Sequence, residues 1–352
     1  MSLRRPLRHP MRGMTLVELM IGLTIGLFLV GIAGSLFLGS RLTFNAQSQV
    51  ARLQEGGRFA AERLGTDLRM AGFRGCRGQG AGTTLSNLLR NPGDFQIDFA
   101  RGLQVSRHDG GSWQPALDAS ISGLSPAPDR AGDVVTVRRT VGPGWALTAA
   151  MVSGTAVVNV TPTSVIQRGD LLLLSDCSSA VVFQASNATP GGDGAIEHSA
   201  AGSLQPGNAQ ADLGRVFLQD AVVHRLATTT YYLAPSRRPG RAGMMALWSN
   251  TVPAYDGSAQ PQELLTGVER LALRLGLDTN ADGTAEAFVA PAQVADWLQV
   301  VSAEVALLLV GADDQVATAP QPVTFDGVQI VPTDRRLRSS VSFSASLRNS
   351  SR

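Results

Sequence analysis

The chain has little of the chemistry on which most enzymes and metal proteins depend. Its 352 residues include four histidines, two cysteines and no lysine, so all 30 basic residues are arginines. The histidines are dispersed, and those at 108 and 198 stand in polar segments where we expect solvated side chains. The sequence contains no CxxC pair, no Gly-x-Ser-x-Gly elbow, no HExxH helix and no phosphate-binding loop. Composition therefore gives no support for an enzyme.

The net charge gives no reason to expect a nucleic-acid partner. The formal net charge is +2 and the pI is about 8.8. Four arginines, at positions 4, 5, 8 and 12, precede the first long apolar run, and no acidic residue accompanies them. Without those four charges the formal charge of the remaining chain is about −2. The basic pI is therefore a property of a short N-terminal segment.

A long apolar run follows the arginines, from Met14 to Ser40, and Glu18 is its only ionisable residue. Helical geometry gives this run a length of roughly 40 Å, enough to cross a bilayer. A carboxylate there costs roughly 3 kcal/mol on insertion scales, so we expect a partner for it. The arginines predict a cytoplasmic N-terminus. The run is too long for a cleaved signal peptide, whereas an uncleaved signal anchor remains an alternative.

The segment Gly13-Met14-Thr15-Leu16-Val17-Glu18-Leu19 resembles the type IV prepilin family. The resemblance implies cleavage of a leader (residues 1–13) after Gly13 and methylation of the new N-terminal residue, Met14. It also implies that Glu18 of one subunit pairs with the Met14 amine of its neighbour. Many pilins have phenylalanine where this chain has Met14. Glutamate that snorkels to the membrane interface is the alternative explanation for Glu18.

We predict that the helix continues beyond its transmembrane half (14–40) into an amphipathic half (41–72). Apolar or small residues recur at steps of three and four, the spacing of one helix face. That face comprises Val50, Leu53, Gly57, Ala60, Leu64, Leu68 and Ala71, and the opposite face Arg52, Glu55, Arg58, Glu62, Arg63 and Asp67. The adjacent pair Gly56-Gly57 is a weak point, and Gly72 and Gly75 are expected to end the helix.

The remainder, residues 73–352, has the pattern of a β-rich extracytoplasmic domain. Short β-branched or apolar runs alternate with long segments rich in glycine, proline, serine and asparagine. We predict strands at 133–139, 155–160, 171–174, 180–183, 271–277, 300–310 and 340–347. The expected fold class is α+β, in which one long N-terminal helix packs on a pilin-like β domain.

The two cysteines, Cys76 after the helix and Cys177 after an apolar strand, are the only candidates for a disulfide. An even pair in an oxidising extracytoplasmic space favours a bond between them. It would close a loop of roughly 100 residues and contribute about 4–5 kcal/mol in the chain-entropy model. Two unrelated free thiols are the alternative.

Several downstream segments are similar to the PilW family of minor pilin-like assembly proteins. They are 64–76, 175–184, the Tyr231-Tyr232-Leu233 and Ala246-Leu247-Trp248 triplets, and a closing segment at 338–349. The resemblance implies a low-abundance subunit that joins other minor pilins to prime or cap the pilus. Its partners would be minor and major pilins, the prepilin peptidase and the inner-membrane assembly machinery. The protein would cross the inner membrane once, with a periplasmic domain, and enter the pilus after assembly.

One further segment has the pattern of a calcium loop. Asp278, Asn280, Asp282 and Glu286 occupy positions 1, 3, 5 and 9 of an EF-hand-like loop with glycine at position 6. Position 12 is Val289, so the usual bidentate glutamate is absent. A plain Asx- and glycine-rich turn is the alternative. We expect that the protein requires no cofactor, and calcium is the one candidate for a bound ion.

The sequence leaves two classes of function open. The first is the assembly subunit described above. The second is a periplasmic or pilus-tip adhesin, with calcium dependence as an option, in which the helix only delivers the domain. A type II secretion pseudopilin shares the N-terminal motif, but the internal segments fit PilW better.

Overall fold

The computed structural model describes residues 14–75, 84–176, 178–253, 261–347 and 349. One long helix, α1 (Leu16–Arg69), precedes a large β domain whose described residues include one short α-helix, α2 (Ala119–Ser122), and three 3-10 turns (Phe95–Ile97, Pro291–Gln293 and Trp297–Gln299). The first strands are β1 (Thr84–Asn87), β2 (Leu103–His108), β3 (Trp113–Gln114), β4 (Val134–Ala146), β5 (Val158–Asn159), β6 (Leu171–Ser175), β7 (Ser179–Gln184) and β8 (Ala195–Ile196). The others are β9 (Val222–Pro235), β10 (Met245–Val252), β11 (Gln262–Thr266), β12 (Val268–Leu277), β13 (Ala287–Val289), β14 (Val300–Val310), β15 (Val323–Phe325), β16 (Val328–Ile330) and β17 (Arg338–Ser346).

Two sheets make up most of the domain. The larger has nine strands, of which seven follow the order β1-β7-β6-β9-β4-β2-β3. Strand β9 also pairs with β10, and β10 in turn pairs with β11. The smaller sheet has four antiparallel strands in the order β13-β12-β14-β17. The pairs β15–β16 and β5–β8 form two short ribbons.

The second half of α1 packs against both sheets and closes the main core. Leu53, Ala60, Leu64 and Leu68 of the helix are buried against inward side chains of β4, β9, β12, β14 and β17. The predicted apolar face is therefore confirmed over most of its length. Val50 is the exception, because 42% of it is exposed, and the buried face begins with Gln49 and Leu53 instead.

The expected fold, a long helix on a β-rich domain, is confirmed, and most predicted strands are present with small shifts of their ends. The run at 155–160 gives only the two-residue β5, because its neighbours lie in turns. The longest strand, β9, has 14 residues and was not among the predicted strands. It is buried on both sides and lacks the alternation that marks a half-exposed strand.

Candidate functional site

The start of α1 places Glu18 in a capping box. Thr15 is the N-cap, and its hydroxyl accepts a hydrogen bond of 3.2 Å from the Glu18 backbone N–H. The Glu18 carboxylate accepts bonds from the Thr15 backbone N–H at 2.9 Å and from its hydroxyl at 3.1 Å, both through Oε2. This reciprocal pair satisfies two N–H groups that a helix end leaves open. Met14 precedes the box and is exposed, while Gly13 lies outside the described residues.

The first half of α1 makes no packing contact that buries it within the chain. Its large apolar side chains, from Leu16 to Phe44, are exposed. By length and composition this is one helix that could cross a membrane, and its most apolar stretch is entirely unburied. Arg41 ends the apolar run, with its guanidinium 5.2 Å from the centre of the Phe37 ring. A helix of this length and composition is suited to membrane anchoring.

The second half of α1 approaches the four-stranded sheet through glycine. A Cβ added at Gly57 would lie 2.6 Å from Cγ2 of Val341 and 3.1 Å from Cδ1 of Leu309. One added at Gly65 would lie 3.4 Å from the Phe343 ring. The glycines that weaken the isolated helix therefore allow close contact between α1 and strands β14 and β17.

A buried ion pair joins the end of α1 to the nine-stranded sheet. Oδ1 of Asp67 lies 2.8 Å from Nη2 of Arg139 on β4. Oδ2 accepts a hydrogen bond of 2.6 Å from the Tyr231 hydroxyl on β9. Burial, together with the neighbouring Asp67 carboxylate, raises the pKa of Tyr231, so the phenol remains a donor.

The prediction that Asp67 lies on the exposed face of the helix is wrong. Only 2% of this residue is exposed. The position of Asp67 in the sequence indicates burial, because it lies three residues after Leu64 and four before Ala71, both on the buried face. A polar residue at such a position implies a buried partner. No local pattern identifies Arg139 and Tyr231 as the partners of Asp67.

The C-terminal segment completes the attachment of the helix. Nδ2 of Asn349 lies 3.3 Å from the backbone oxygens of both Arg69 and Ala71, and it satisfies carbonyl groups that a helix end leaves open. Beyond the helix, the Gly72 N–H donates to the Arg138 carbonyl at 2.9 Å. Gly72 has a φ of 68°, a left-handed conformation in which glycine ends helices.

The cysteines of the predicted disulfide, Cys76 and Cys177, lie outside the described residues. Their described neighbours are close together, because a Cβ on Gly75 would meet the Ser175 side chain. The bond stays a prediction.

The candidate calcium ligands lie together in the loop between β12 and β13. Carboxylate oxygens of Asp278, Asp282 and Glu286 are all within 4.8 Å of one another. Oδ1 of Asp278 accepts the Ala281 N–H at 2.6 Å, and Oδ2 the Gly283 N–H at 2.9 Å.

The remaining ligand oxygens of this loop also accept hydrogen bonds from it. Oε2 of Glu286 accepts the Thr279 N–H at 2.7 Å, while Nδ2 of Asn280 donates to Asp282 at 3.1 Å. Bonds from the Thr284 hydroxyl and N–H lower the pKa of Asp282, which keeps this carboxylate charged. The arrangement suits a hard cation and also serves as a self-contained turn, so calcium stays a prediction.

The expectation that His198 is solvated is wrong. Only 3% of it is exposed, and its ring nitrogens lie 2.7 Å from the Ala211 carbonyl oxygen and 2.9 Å from that of Ala156. The ring joins two loops of the domain. The polar sequence around position 198 did not reveal this, because the neighbouring loops fold over it.

Two family models match this chain, one near each end. The model of the Prokaryotic N-terminal methylation motif matches residues 8–34, which include Gly13, Met14 and Glu18. The model of the Type IV Pilus-assembly protein W family, PilW, matches residues 230–349. The comparison with curated proteins found no match. Among solved structures, a type IV-like pilin from Thermus thermophilus aligns with 86% of this chain and 99% of its own length, at 12% identity and a TM-score of 0.34.

The PilW match covers β14 and β17, the strands that lie against the glycines of α1, but not β4. It includes Tyr231, the four-stranded sheet with the candidate calcium loop, and Asn349. The similar segments at 64–76 and 175–184 lie outside the matched range. The chain therefore has a prepilin-type methylation motif at its N-terminus, a long apolar helix behind it and, at residues 230–349, a segment similar to the PilW family of type IV pilus-assembly proteins.

Proposed function

We propose that the protein is a minor subunit of a type IV pilus that joins other minor pilins in a complex which primes or caps the filament. The observation that carries the proposal is the contrast between the two halves of α1. One half is apolar and exposed over its whole length, while the other is fixed to the domain by close glycine contacts and a buried ion pair. A helix built in this way is suited to insertion among other helices with the domain held outside.

The N-terminus would be processed before assembly. Cleavage after Gly13 would leave Met14 with a free amine, which the methylation motif predicts to be methylated. Glu18 bonds to Thr15 through Oε2, and no bond to Oε1 occurs among the described residues. That oxygen suits a cation in a neighbouring subunit, because a carboxylate in an apolar environment is most stable beside an opposite charge. The Met14 amine of the neighbour would supply this charge.

The remaining features support a single-pass topology in the inner membrane. The leader arginines favour a cytoplasmic N-terminus, and with that orientation the β domain would lie in the periplasm. The partners would be other minor pilins and major pilins in the filament, with the prepilin peptidase and the inner-membrane assembly machinery acting before assembly.

The test replaces Glu18 by alanine in the full chain, in cells that assemble pili. Intact-protein mass from the membrane fraction establishes whether residues 1–13 have been removed and one methyl group added. We expect processed, membrane-inserted protein and a loss of surface pili, since the variant lacks the counter-charge for the neighbouring amine. Glu62→Ala removes an exposed acid from the same helix beyond the membrane and is the control, for which piliation should be unchanged.

Three results would contradict the proposal. Normal numbers of pili with processed Glu18→Ala protein would show that assembly does not depend on this carboxylate. Intact pili that no longer attach to surfaces would instead support the adhesin function. An N-terminus that retains the leader, in the unaltered protein, would remove the prepilin assignment of Gly13 and Met14.

A further inference from the structure

Among the described residues, β17 is the longest strand at the edge of either large sheet. The edge strands of the two large sheets are otherwise β1, β3, β11 and β13, with four, two, five and three residues. Strand β17 has nine residues and, among the described residues, pairs only with β14. Its register with β14 runs from Arg338 to Ser346 without a bulge. A straight edge of this length is a template on which another strand can pair.

The hydrogen-bond pattern identifies which backbone groups point outward. The Leu347 N–H donates to the Val301 carbonyl, and the Gly311 N–H donates to that of Leu337, each at 2.8 Å. Because bonded pairs alternate in an antiparallel ladder, the odd-numbered residues of β17 bond to β14. The even-numbered residues therefore direct their N–H and C=O groups away from the sheet. These residues are Arg338 at the start of the strand and then Ser340, Ser342, Ser344 and Ser346, and all four serines are exposed.

The residues at this edge lack the features that usually prevent strand pairing. Natural sheets protect their edges with lysine, proline, bulges or very short strands. From 339 to 346, β17 contains no charged residue and no proline. After Arg338, whose guanidinium is paired with Glu269 and Asp334, its outward positions carry only serine, whose small side chain leaves the backbone accessible. Its other side chains, Val341, Phe343 and Ala345, pack toward α1.

The direction of β17 restricts what can pair with it. Gln49 of α1 bonds to Asp313 near the start of β17, Gly57 lies against Val341, Gly65 against Phe343, and Asn349 bonds to Arg69. Strand and helix therefore run side by side in the same direction. A second copy that paired its β17 antiparallel to this one would have its helix pointing the opposite way. Two copies anchored in one membrane have helices that point the same way, so this symmetric dimer is excluded.

We infer that β17 accepts an extended strand from a different prepilin-type subunit, which continues the four-stranded sheet beside α1. The inference rests on the proposed function, since α1 brings the neighbouring subunit alongside. The added strand would face Val341 and Phe343 with apolar side chains and the serine row with small or polar ones. The backbone of β17 supplies the hydrogen bonds, and its position beside the membrane helix fixes the orientation of the partner.

The first experiment places a photo-crosslinking residue, benzoylphenylalanine, at Ser342 of the full chain in membranes that contain the other pilin-type subunits of the host. Gln329, an exposed residue of the β15–β16 ribbon, is the matched position for the control. We expect a cross-linked product with another prepilin-type subunit, identified by mass spectrometry, at Ser342 and about tenfold less of it at Gln329. Equal yields at both positions, or a product formed only between copies of this chain, would overturn the inference.

The second experiment tests the backbone itself. Ser342→Pro removes an N–H that points outward and is therefore tolerated at an edge, while Ser342→Lys adds the charge that natural edges use. Both variants should retain the unfolding midpoint of the parent and lose about tenfold in recovery of the neighbouring subunit after purification from membranes. Gln329→Lys adds the same charge elsewhere and should lose nothing.

The two proposals can fail separately. If the Ser342 variants recover the neighbouring subunit as well as the parent does, while Glu18→Ala still abolishes piliation, the edge inference is wrong and the pilin function stands. If Glu18→Ala leaves piliation intact, the proposed function fails, whatever happens at Ser342.

Discussion

Replacing Asp67 by alanine tests how strongly the domain holds α1. The carboxylate is buried, 2.8 Å from the Arg139 guanidinium and 2.6 Å from the Tyr231 hydroxyl. Its removal leaves the buried Tyr231 hydroxyl without its acceptor and leaves the half-buried Arg139 guanidinium with the Thr140 carbonyl but no counter-charge. Breaking a buried pair in this way costs about 3–5 kcal/mol of unfolding free energy. Arg139→Met should have a cost of the same order, because it leaves the buried carboxylate with the Tyr231 hydrogen bond and the nearby charge of Arg63 but without its ion-pair partner.

The double variant separates this ion pair from ordinary packing. Once Asp67 is gone, replacing Arg139 by methionine removes the group that the first change left unpaired. The combined cost should therefore be smaller than the sum of the two single costs, with a coupling free energy of about 2 kcal/mol.

The assay is unfolding of the full chain in detergent by guanidinium chloride, followed by tryptophan fluorescence. Trp248 is buried on β10 next to β9, so its emission should report loss of the sheet that contains Tyr231. Glu62→Ala, at an exposed position of the same helix, is the control and should change the free energy by less than about 0.5 kcal/mol. Additive costs for Asp67→Ala and Arg139→Met would refute the coupling, and single costs below about 1 kcal/mol would refute a buried pair.

Two further predictions concern the helix contact and the candidate metal loop. Gly57→Ala should destabilise the protein by about 1–2 kcal/mol despite alanine's higher helix propensity, because the new Cβ meets Val341. In Gly56→Ala the new Cβ meets only the flexible end of Leu265, so this variant should be near neutral. Guanidinium unfolding measures both changes in stability, and equal effects would contradict the contact between Gly57 and Val341. Calorimetry of the full chain should show calcium binding at or below millimolar concentration. Asp282→Ala should abolish this binding, and the control Asp220→Ala, at a remote position, should retain it. If the parent protein gives no heat of binding at millimolar calcium, the metal hypothesis is wrong.

The long helix and the β-rich domain could be predicted because each has a local signal. Apolar side chains at steps of three and four give the packed face of α1, and the alternation at 340–347 gives β17. The N-terminal motif is local as well, since Gly13, Met14 and Glu18 lie within six residues of one another.

What sequence reasoning missed depends on contacts between distant segments. Asp67 and Tyr231 are 164 positions apart in the sequence, and no pattern near either residue identifies the other as its partner. Likewise, Gly57 only lowers helix propensity when the helix is considered alone, and its role becomes clear from the close contact with Val341. The strand β9 lacked an alternating pattern because both of its faces are buried. The calcium ligands were found as a cluster because the loop is local, but metal binding depends on competition with the N–H donors that already fill their oxygens.

The parallel course of α1 and β17 determines how the domain carries tension. A pull on the exposed half of the helix acts along the helix axis, and that axis lies along β17 and β14. The load therefore tends to slide these strands past one another, so that all the hydrogen bonds between them resist together. A pull across the strands would instead open the bonds one at a time. The helix contact thus loads the four-stranded sheet in shear, the direction in which a sheet resists most.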